Sequence, residues 1–330
     1  MITFTEKGIY CKQGDFYIDP RQPVDKALIT HGHSDHARFG SKKYLCHRLT
    51  VPILKLRLGD VEVQGVEYGD KIFIHGVQVS FHPAGHIIGS AQIRLEYKGE
   101  VWIVSGDYKL SNDLLTQPYE CVRCHHFVTE STFGLPIYTF HEPQILYNDI
   151  NNWWRKNAEE DYNTIVLGYA LGKSQTILHA LNKDIGDIYL HGAVANVNDA
   201  LEEVGFHFLG NRITEETDVK NIKGALISAP PSALNTPWLK KFTPYRIAMC
   251  SGWMALRGAR RRNGVDKGFV LSDHCDWQQL NDAVIDTGAE NIYVTHGYET
   301  AFAQWLKEKY GLNAQEVKTY YNNEESEEEL

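Results

Sequence analysis

The segment Thr30-His31-Gly32-His33-Ser34-Asp35-His36-Ala37 puts three histidines and one aspartate within six residues. It follows Ala27-Leu28-Ile29, an apolar stretch that reads as a buried strand. Four side chains able to bind transition metals, all at the end of one strand, imply a metal site with more than one ion. They constrain the chain to a fold whose rigid sheet edge carries functional loops. His31 and His33 are two apart, so on an extended backbone they point the same way. Gly32 between them lets the chain bend or a ligand approach closely. Asp35 and His36 follow a turn and can form a second ligand pair. Imidazole suits zinc, iron or manganese, and the carboxylate adds a hard oxygen. For a single histidine a polar surface turn is the ordinary reading, but clustered His and Asp mark metal or catalytic sites.

At 330 residues the chain can bury a large core and hold two domains. Its formal net charge of -9 excludes a generally basic nucleic-acid binder. A polyanion must then be met by a local basic patch and by metal ions. Met1-Ile2-Thr3-Phe4-Thr5-Glu6 has neither a basic nor an apolar leader region, so no secretory signal is expected. No apolar run is long enough to span a bilayer, so no membrane partner is expected. The six cysteines are sparse and mostly isolated, which fits a reducing cytoplasm. The like-charge block Glu324-Glu325-Ser326-Glu327-Glu328-Glu329 is read as part of a disordered acidic tail, 319–330.

The first part reads as short strands with turn signals. Phe16-Tyr17-Ile18 is one strand; 71–76 and 77–81 form a hairpin, and 91–97 and 101–104 flank the turn Lys98-Gly99-Glu100. One early helix is expected near 50–58. From about Gln144 strand and helix alternate. A helix over 145–156 precedes strand 164–167, helix 173–181, strand 188–190, a helix near 197–204, and strands 225–227 and 246–249. That alternation predicts a small α/β unit with a parallel sheet. Strands 268–271 and 291–294 follow, each ending in a histidine-bearing turn, His274 and His296. The middle unit therefore interrupts the first. The expected boundaries are 1–140, then 141–263 as the insertion, then 264–318 as the return.

Several polar residues lie directly after an apolar strand: His86, Asp107, Glu130, His274 and His296. Singly each would be an ordinary loop residue; together with the opening cluster they look like an active-site rim. The spacing His31-x-His33-x-Asp35-His36, then His86, then Asp107 resembles the metallo-β-lactamase fold, an αββα sandwich, and Asp19 matches that fold's first motif. Glu130, His274 and His296 resemble the three extra motifs of the β-CASP nucleases, whose small α/β cap is inserted into the sandwich. The wording of the motifs is similar to bacterial exonucleases associated with an ATP-dependent DNA ligase and a helicase, and also to the mRNA 3′-end processing endonuclease.

The resemblance implies one metal held by His31, His33, His86 and Asp107. It implies a second held by Asp35, His36, His296 and the shared Asp107. Zinc suits this histidine-rich set, with manganese as a substitute. Asp19 would orient a histidine ligand. A bridging hydroxide would be the nucleophile, with the ions neutralising charge on the phosphate. Asp35 belongs to this catalytic set. His274 would protonate the leaving oxygen, and Glu130 would orient it; the alternative for Glu130 is a plain salt bridge.

Gly168-Tyr169-Ala170-Leu171-Gly172-Lys173-Ser174 has three residues between its glycines, where a P-loop needs four, so no nucleotide cofactor is expected. Lys173 and Ser174 at a helix start could hold a substrate phosphate, or simply cap the helix. Arg257, Arg260, Arg261 and Arg262 form the densest basic run, suited to backbone phosphates or to a solvated face. Cys121-Val122-Arg123-Cys124-His125-His126 lacks a second ligand pair and reads as structural. The leading expectation is a 5′-to-3′ DNA exonuclease of repair. An RNA nuclease of the mRNA-processing type is the runner-up, because RNA-cleaving relatives tend to carry histidine at the motif occupied by His296. A thioesterase, a lactonase or a silent scaffold ranks below both.

Overall fold

The computed structural model describes residues 1–317, and the predicted acidic tail lies outside them. The chain divides into two compact units. Among the described residues, one comprises Met1–Thr139 and 273–317; the other spans Phe140–Ser272. Both mix α and β, with three sheets in all among the described residues.

The first unit contains a six-stranded and a seven-stranded sheet. The six-stranded sheet runs Ile2–Thr5, Gly8–Cys11, Phe16–Ile18, Lys26–Leu28, Lys43–His47, Val63–Val66, in sequence order. The seven-stranded sheet runs Asn313–Glu316, Asn291–Gly297, His126–Ser131, Glu100–Val104, Ala91–Tyr97, Val77–Pro83, Ile72–Ile74. Its direction pattern positions the site. Glu100–Val104, His126–Ser131 and Asn291–Gly297 are parallel. Val77–Pro83 is antiparallel to Ala91–Tyr97, which is antiparallel to Glu100–Val104, so it shares their direction. Four strands thus run to one edge of the sheet, where His86 and Asp107 lie in the loops that follow their strands and Glu130 and His296 are the penultimate residues of theirs.

Alternating side chains explain why both faces are covered. Trp102 and Val104 point into a core shared with Phe16, Ile18, Leu28 and Leu45 of the other sheet. Val101 and Ile103 point the other way, onto Leu280, Val284, Phe302 and Leu306. Those four belong to helices Trp277–Thr287 and Glu299–Tyr310, neither of which was anticipated from the sequence. Ala27, Ile29 and Cys46 cover the remaining face with Leu54 and Leu58 of helix Val51–Leu58.

The second unit is built on an all-parallel sheet ordered Asn211–Arg212, Ile188–Leu190, Leu226–Ala229, Asn163–Leu167, Tyr245–Cys250, Lys267–Phe269. Helices Pro143–Glu159, Lys173–Ala180 and Gly192–Glu202 share a core with one face through Ile150, Trp154, Ile177 and Val194. Two expectations are corrected here. The last helix begins at Gly192 rather than near 197, because the His191 side chain accepts the Ala193 N–H and starts it early. The strand expected over 268–271, found at Lys267–Phe269, was assigned to the returning part. Instead it pairs parallel with Tyr245–Cys250, and Phe269 and Leu271 fill the core of the second unit. That unit therefore runs to Ser272, past the expected 263, and the return begins at Asp273.

The pairing of His126–Ser131 with Asn291–Gly297 contains a bulge. Thr129 faces Val294, but Ser131 faces Gly297, so the second strand carries one extra residue. His296 sits in it at φ +52, and Gly297 follows at φ +76. A Cβ at Gly297 would collide with the Ser131 carbonyl oxygen and Thr132 Cα. Gly99 also has positive φ but nothing within 4 Å. Gly99→Ala should therefore lose only about 1–2 kcal/mol, the cost of a left-handed residue, and Gly297→Ala distinctly more. Urea unfolding midpoints test this; equal losses would mean that the bulge yields freely.

Candidate metal centre

All of the anticipated metal-binding side chains lie in the first unit. Gly106, at φ +57, lets the loop after Glu100–Val104 approach Thr30 so closely that a Cβ would meet its hydroxyl. This brings Asp107 beside the histidine segment. His31, His33, His86 and Asp107 form one group able to hold a metal ion, and Asp35, His36 and His296 form another. Within the first, His33 Nδ1 lies 3.2 Å from His31 Nε2 and 3.1 Å from His86 Nε2. His31 Nε2 is 3.3 Å from Asp107 Oδ2. Within the second, His36 Nε2 is 3.4 Å from Asp35 Oδ2. Asp107 touches both groups: its Oδ2 is also 3.4 Å from His36 Nε2, and its Oδ1 is 3.8 Å from His296 Nδ1.

The outer nitrogens explain how the rings are aimed. Thr30 gives its hydroxyl proton to Asp19 at 2.6 Å, so its oxygen accepts from His31 Nδ1 at 3.1 Å. Asp19 also accepts the Thr30 N–H and His36 Nδ1–H, each at 2.8 Å. His86 Nδ1–H donates to the Asp273 carbonyl oxygen at 2.9 Å. With these protons spent outward, His31, His36 and His86 turn Nε2 lone pairs inward. A single proton on His33 Nδ1 could satisfy one facing lone pair; a cation satisfies them all. The donor set therefore fits transition-metal ions.

Electrostatics agree. Burial, helped by neighbouring imidazoles including His274, pushes His86 well below the ordinary histidine range and keeps it neutral. Burial would raise Asp35 and Asp107, but the imidazoles around them prevail and hold both well below the carboxylate range. Burial would lower His36, but Asp107, Asp35 and Asp19 outweigh it and raise it well above. Carboxylates that favour a proton there would equally favour a divalent cation.

A second constellation adjoins the first. His274 Nδ1 lies 2.9 Å from both oxygens of Glu130. Glu130 also accepts the Tyr108 N–H at 3.0 Å and the Thr132 N–H at 3.4 Å, which fixes it beside Asp107. Burial would lower His274, but Glu130, with Asp107 and Asp273 behind it, holds it well above its ordinary range. Asp273 was not singled out from the sequence. Its carbonyl holds His86, and its carboxylate lies 3.8 Å from His274 Nε2. An acidic residue adjoining a candidate histidine at a strand end was the available signal. Thr30 was missed as well, because only the fold shows that its hydroxyl links Asp19 to His31.

The remaining candidates belong to the second unit. Lys173 and Ser174 are buried at the start of helix Lys173–Ala180, with the Lys173 ammonium 4.6 Å from the Tyr169 ring centre. Arg257, Arg260, Arg261 and Arg262 are exposed, the last three on helix Ala259–Arg262. In the first unit, the ring of His125 accepts the Val101 N–H and His126 stacks on Trp102, while Cys121 and Cys124 are free thiols. No helix among the described residues is long and apolar enough to cross a membrane.

No family model matches the chain. It is 31% identical over 311 residues to a protein of Opitutus terrae named probable DNA ligase, an alignment covering 93% of this chain and 30% of that one. It is 24% identical over 186 residues to an RNase J-like protein of Methanocaldococcus jannaschii, covering 49% and 44%. It is 21% identical over 243 residues to cleavage and polyadenylation specificity factor subunit 3 of Dictyostelium discoideum, covering 60% and 31%. The chain thus spans less than half of each of these relatives. A solved structure of a protein of unknown function from Enterococcus faecalis shares the fold at a TM-score of 0.62 and 13% identity, over 88% of this chain and 78% of that one. With its motifs and these relatives, the chain belongs to the β-CASP family of metallo-β-lactamase-fold proteins.

Because Asp107 faces both groups, Asp107→Asn should reduce bound divalent metal more than His33→Ala does. Asp19→Ala, which leaves every inward atom in place, should weaken metal affinity by about 10–100-fold. Metal analysis after competition with a graded chelator measures both; an unaltered Asp19→Ala would remove its orienting role.

Proposed function

We propose that the chain is a two-metal phosphodiesterase acting on nucleic-acid ends, foremost a 5′-to-3′ DNA exonuclease in repair. The observation carrying this is the shared carboxylate of Asp107 between two metal-binding groups, with the Glu130–His274 pair beside it. We read the first unit as an αββα sandwich and the second as the β-CASP cap. The ions are zinc on the strength of the imidazole-rich donors, with manganese as a substitute. One would be held by His31, His33, His86 and Asp107, the other by Asp35, His36, His296 and Asp107. Bound there, the cations supply an activated water and neutralise charge on the phosphate oxygens.

The chain's own residues do the rest. Asp19 and Thr30 keep the inward nitrogens aimed. As the phosphorus–oxygen bond breaks, its electron pair stays on the leaving oxygen and His274 Nε2 gives that oxygen its proton. Glu130 holds Nδ1–H, so Nε2 is the ring nitrogen that serves the substrate. In the second unit, Arg257, Arg260, Arg261 and Arg262 are exposed cations suited to backbone phosphates, and Lys173 with Ser174 lies at a helix start suited to the same group.

DNA is favoured because the relative matching nearly the whole chain is named a DNA ligase. A nuclease and a ligase in one polypeptide would make association with an ATP-dependent ligase natural, and the helicase partner rests on the family resemblance. The free cysteines suit a reducing compartment, the cytoplasm. RNA is the second reading, supported by the relatives named RNase J-like protein and cleavage and polyadenylation specificity factor.

End-labelled single-stranded DNA and RNA of one sequence, offered to zinc- or manganese-loaded protein, separate the two readings. Mononucleotides released from DNA alone support the exonuclease, and activity confined to RNA sinks it; Asp35→Ala controls for contaminants. His274→Ala should lower kcat by about 10²–10⁴-fold with bound metal unchanged. Full activity in that variant would end its role as proton donor.

A further inference from the structure

Asp273 has no part in either metal-binding group or in the Glu130–His274 pair, yet it touches both. It is almost fully buried, and it directly precedes His274 at the point where the chain re-enters the first unit. Its main-chain carbonyl takes the outer N–H of His86 at 2.9 Å. Its carboxylate stands 3.8 Å from His274 Nε2, the ring nitrogen opposite the one that faces Glu130. His86, Asp273 and His274 each offer a ligand-type atom within 4.8 Å of the others. An acid buried here must have a cationic or N–H neighbour to compensate its lost hydration. The His274 ring, bounded by Glu130 on one side and Asp273 on the other, is placed to provide it.

We propose that Asp273 is a positioning residue that steers the Nε2–H of His274, so that the ring is held between two carboxylates until the leaving oxygen arrives. The proposal rests on the reading of His274 as proton donor. At 3.8 Å the contact is an ion pair rather than a hydrogen bond, a looseness common in catalytic pairs before substrate binds. Glu130 alone fixes one end of the imidazole; the second carboxylate fixes the tilt of the other. When the phosphorus–oxygen bond breaks, the proton moves from Nε2 to the leaving oxygen. Asp273 neither gives nor takes a proton. Because the same residue holds His86 through its backbone, the alignment of the donor ring is tied to that of a metal-binding ring.

The test compares two leaving groups. An oligonucleotide releases an alkoxide, which needs a proton; bis(p-nitrophenyl) phosphate releases a phenolate, which does not. Wild type, D273N, D273A and H274A are loaded with zinc and assayed on both, with metal content and melting temperature recorded for each. D273N and D273A should lower kcat on the oligonucleotide by about 10–100-fold, below the effect of losing the donor itself. KM, bound zinc and turnover of the aryl ester should stay at wild-type values. Equal losses on both substrates, zinc lost in step with activity, or an unchanged oligonucleotide kcat would overturn the proposal. H274A reports on the parent reading separately: if it slows the aryl ester as much as the oligonucleotide, the donor assignment itself fails. If H274A spares the aryl ester while the Asp273 variants do not, only the role of Asp273 fails.

Discussion

The carboxylate of Asp107, 1% exposed, stands 3.3 Å from His31 and 3.4 Å from His36, and it joins two sets of imidazoles, each drawn from both sheets of the first unit. A buried charge in that position is tolerable only when cations or N–H groups surround it. Everything nearby serves that condition. The strand Glu100–Val104 carries Asp107 to the sheet edge, Gly106 lets it close on Thr30, and the core behind it is packed from both faces. The centre is therefore a property of the sheet edge, reached by four strands running in one direction.

Around the inward atoms lies a second set of hydrogen bonds. Asp19 acts through three of them, to Thr30 N–H, Thr30 Oγ1 and His36 Nδ1. Asp273 holds His86 and Glu130 holds His274. Each fixes a tautomer by accepting the outward N–H, so the inward nitrogen is left as a lone pair or, in His274, as a donor. Because acceptors on different loops share this work, the rings are aligned before any substrate arrives. The bulge at His296 belongs to the same logic: one extra residue turns a strand-end side chain toward the cluster at the cost of a left-handed backbone.

The histidine segment, the strand-end placement of His86, Asp107, Glu130 and His296, and the hairpins at 71–81 and 91–104 were all legible. They rest on local chemistry and on period-two alternation. Helices Trp277–Thr287 and Glu299–Tyr310 were not. Each interleaves polar residues with the apolar ones that pack on the sheet, and their apolar faces are recognisable only against it. The strand at 267–269 was seen but assigned to the wrong unit. A three-residue strand carries no mark of its partner, and its place was decided by ladder hydrogen bonds to Tyr245–Cys250 and by the burial of Phe269.

The order of residues along the chain determined that side chains able to bind metal would sit at strand ends, because residue type and spacing are local. Which of them would meet was decided only by the tertiary structure. Asp107 reaches His36, and Glu130 reaches His274 across 144 positions, because strand direction and sheet packing set distance in space. Asp273 makes the same point from the other side. In the sequence it is only the residue before His274, and the fold alone brings His86 Nδ1 to within 2.9 Å of its carbonyl oxygen.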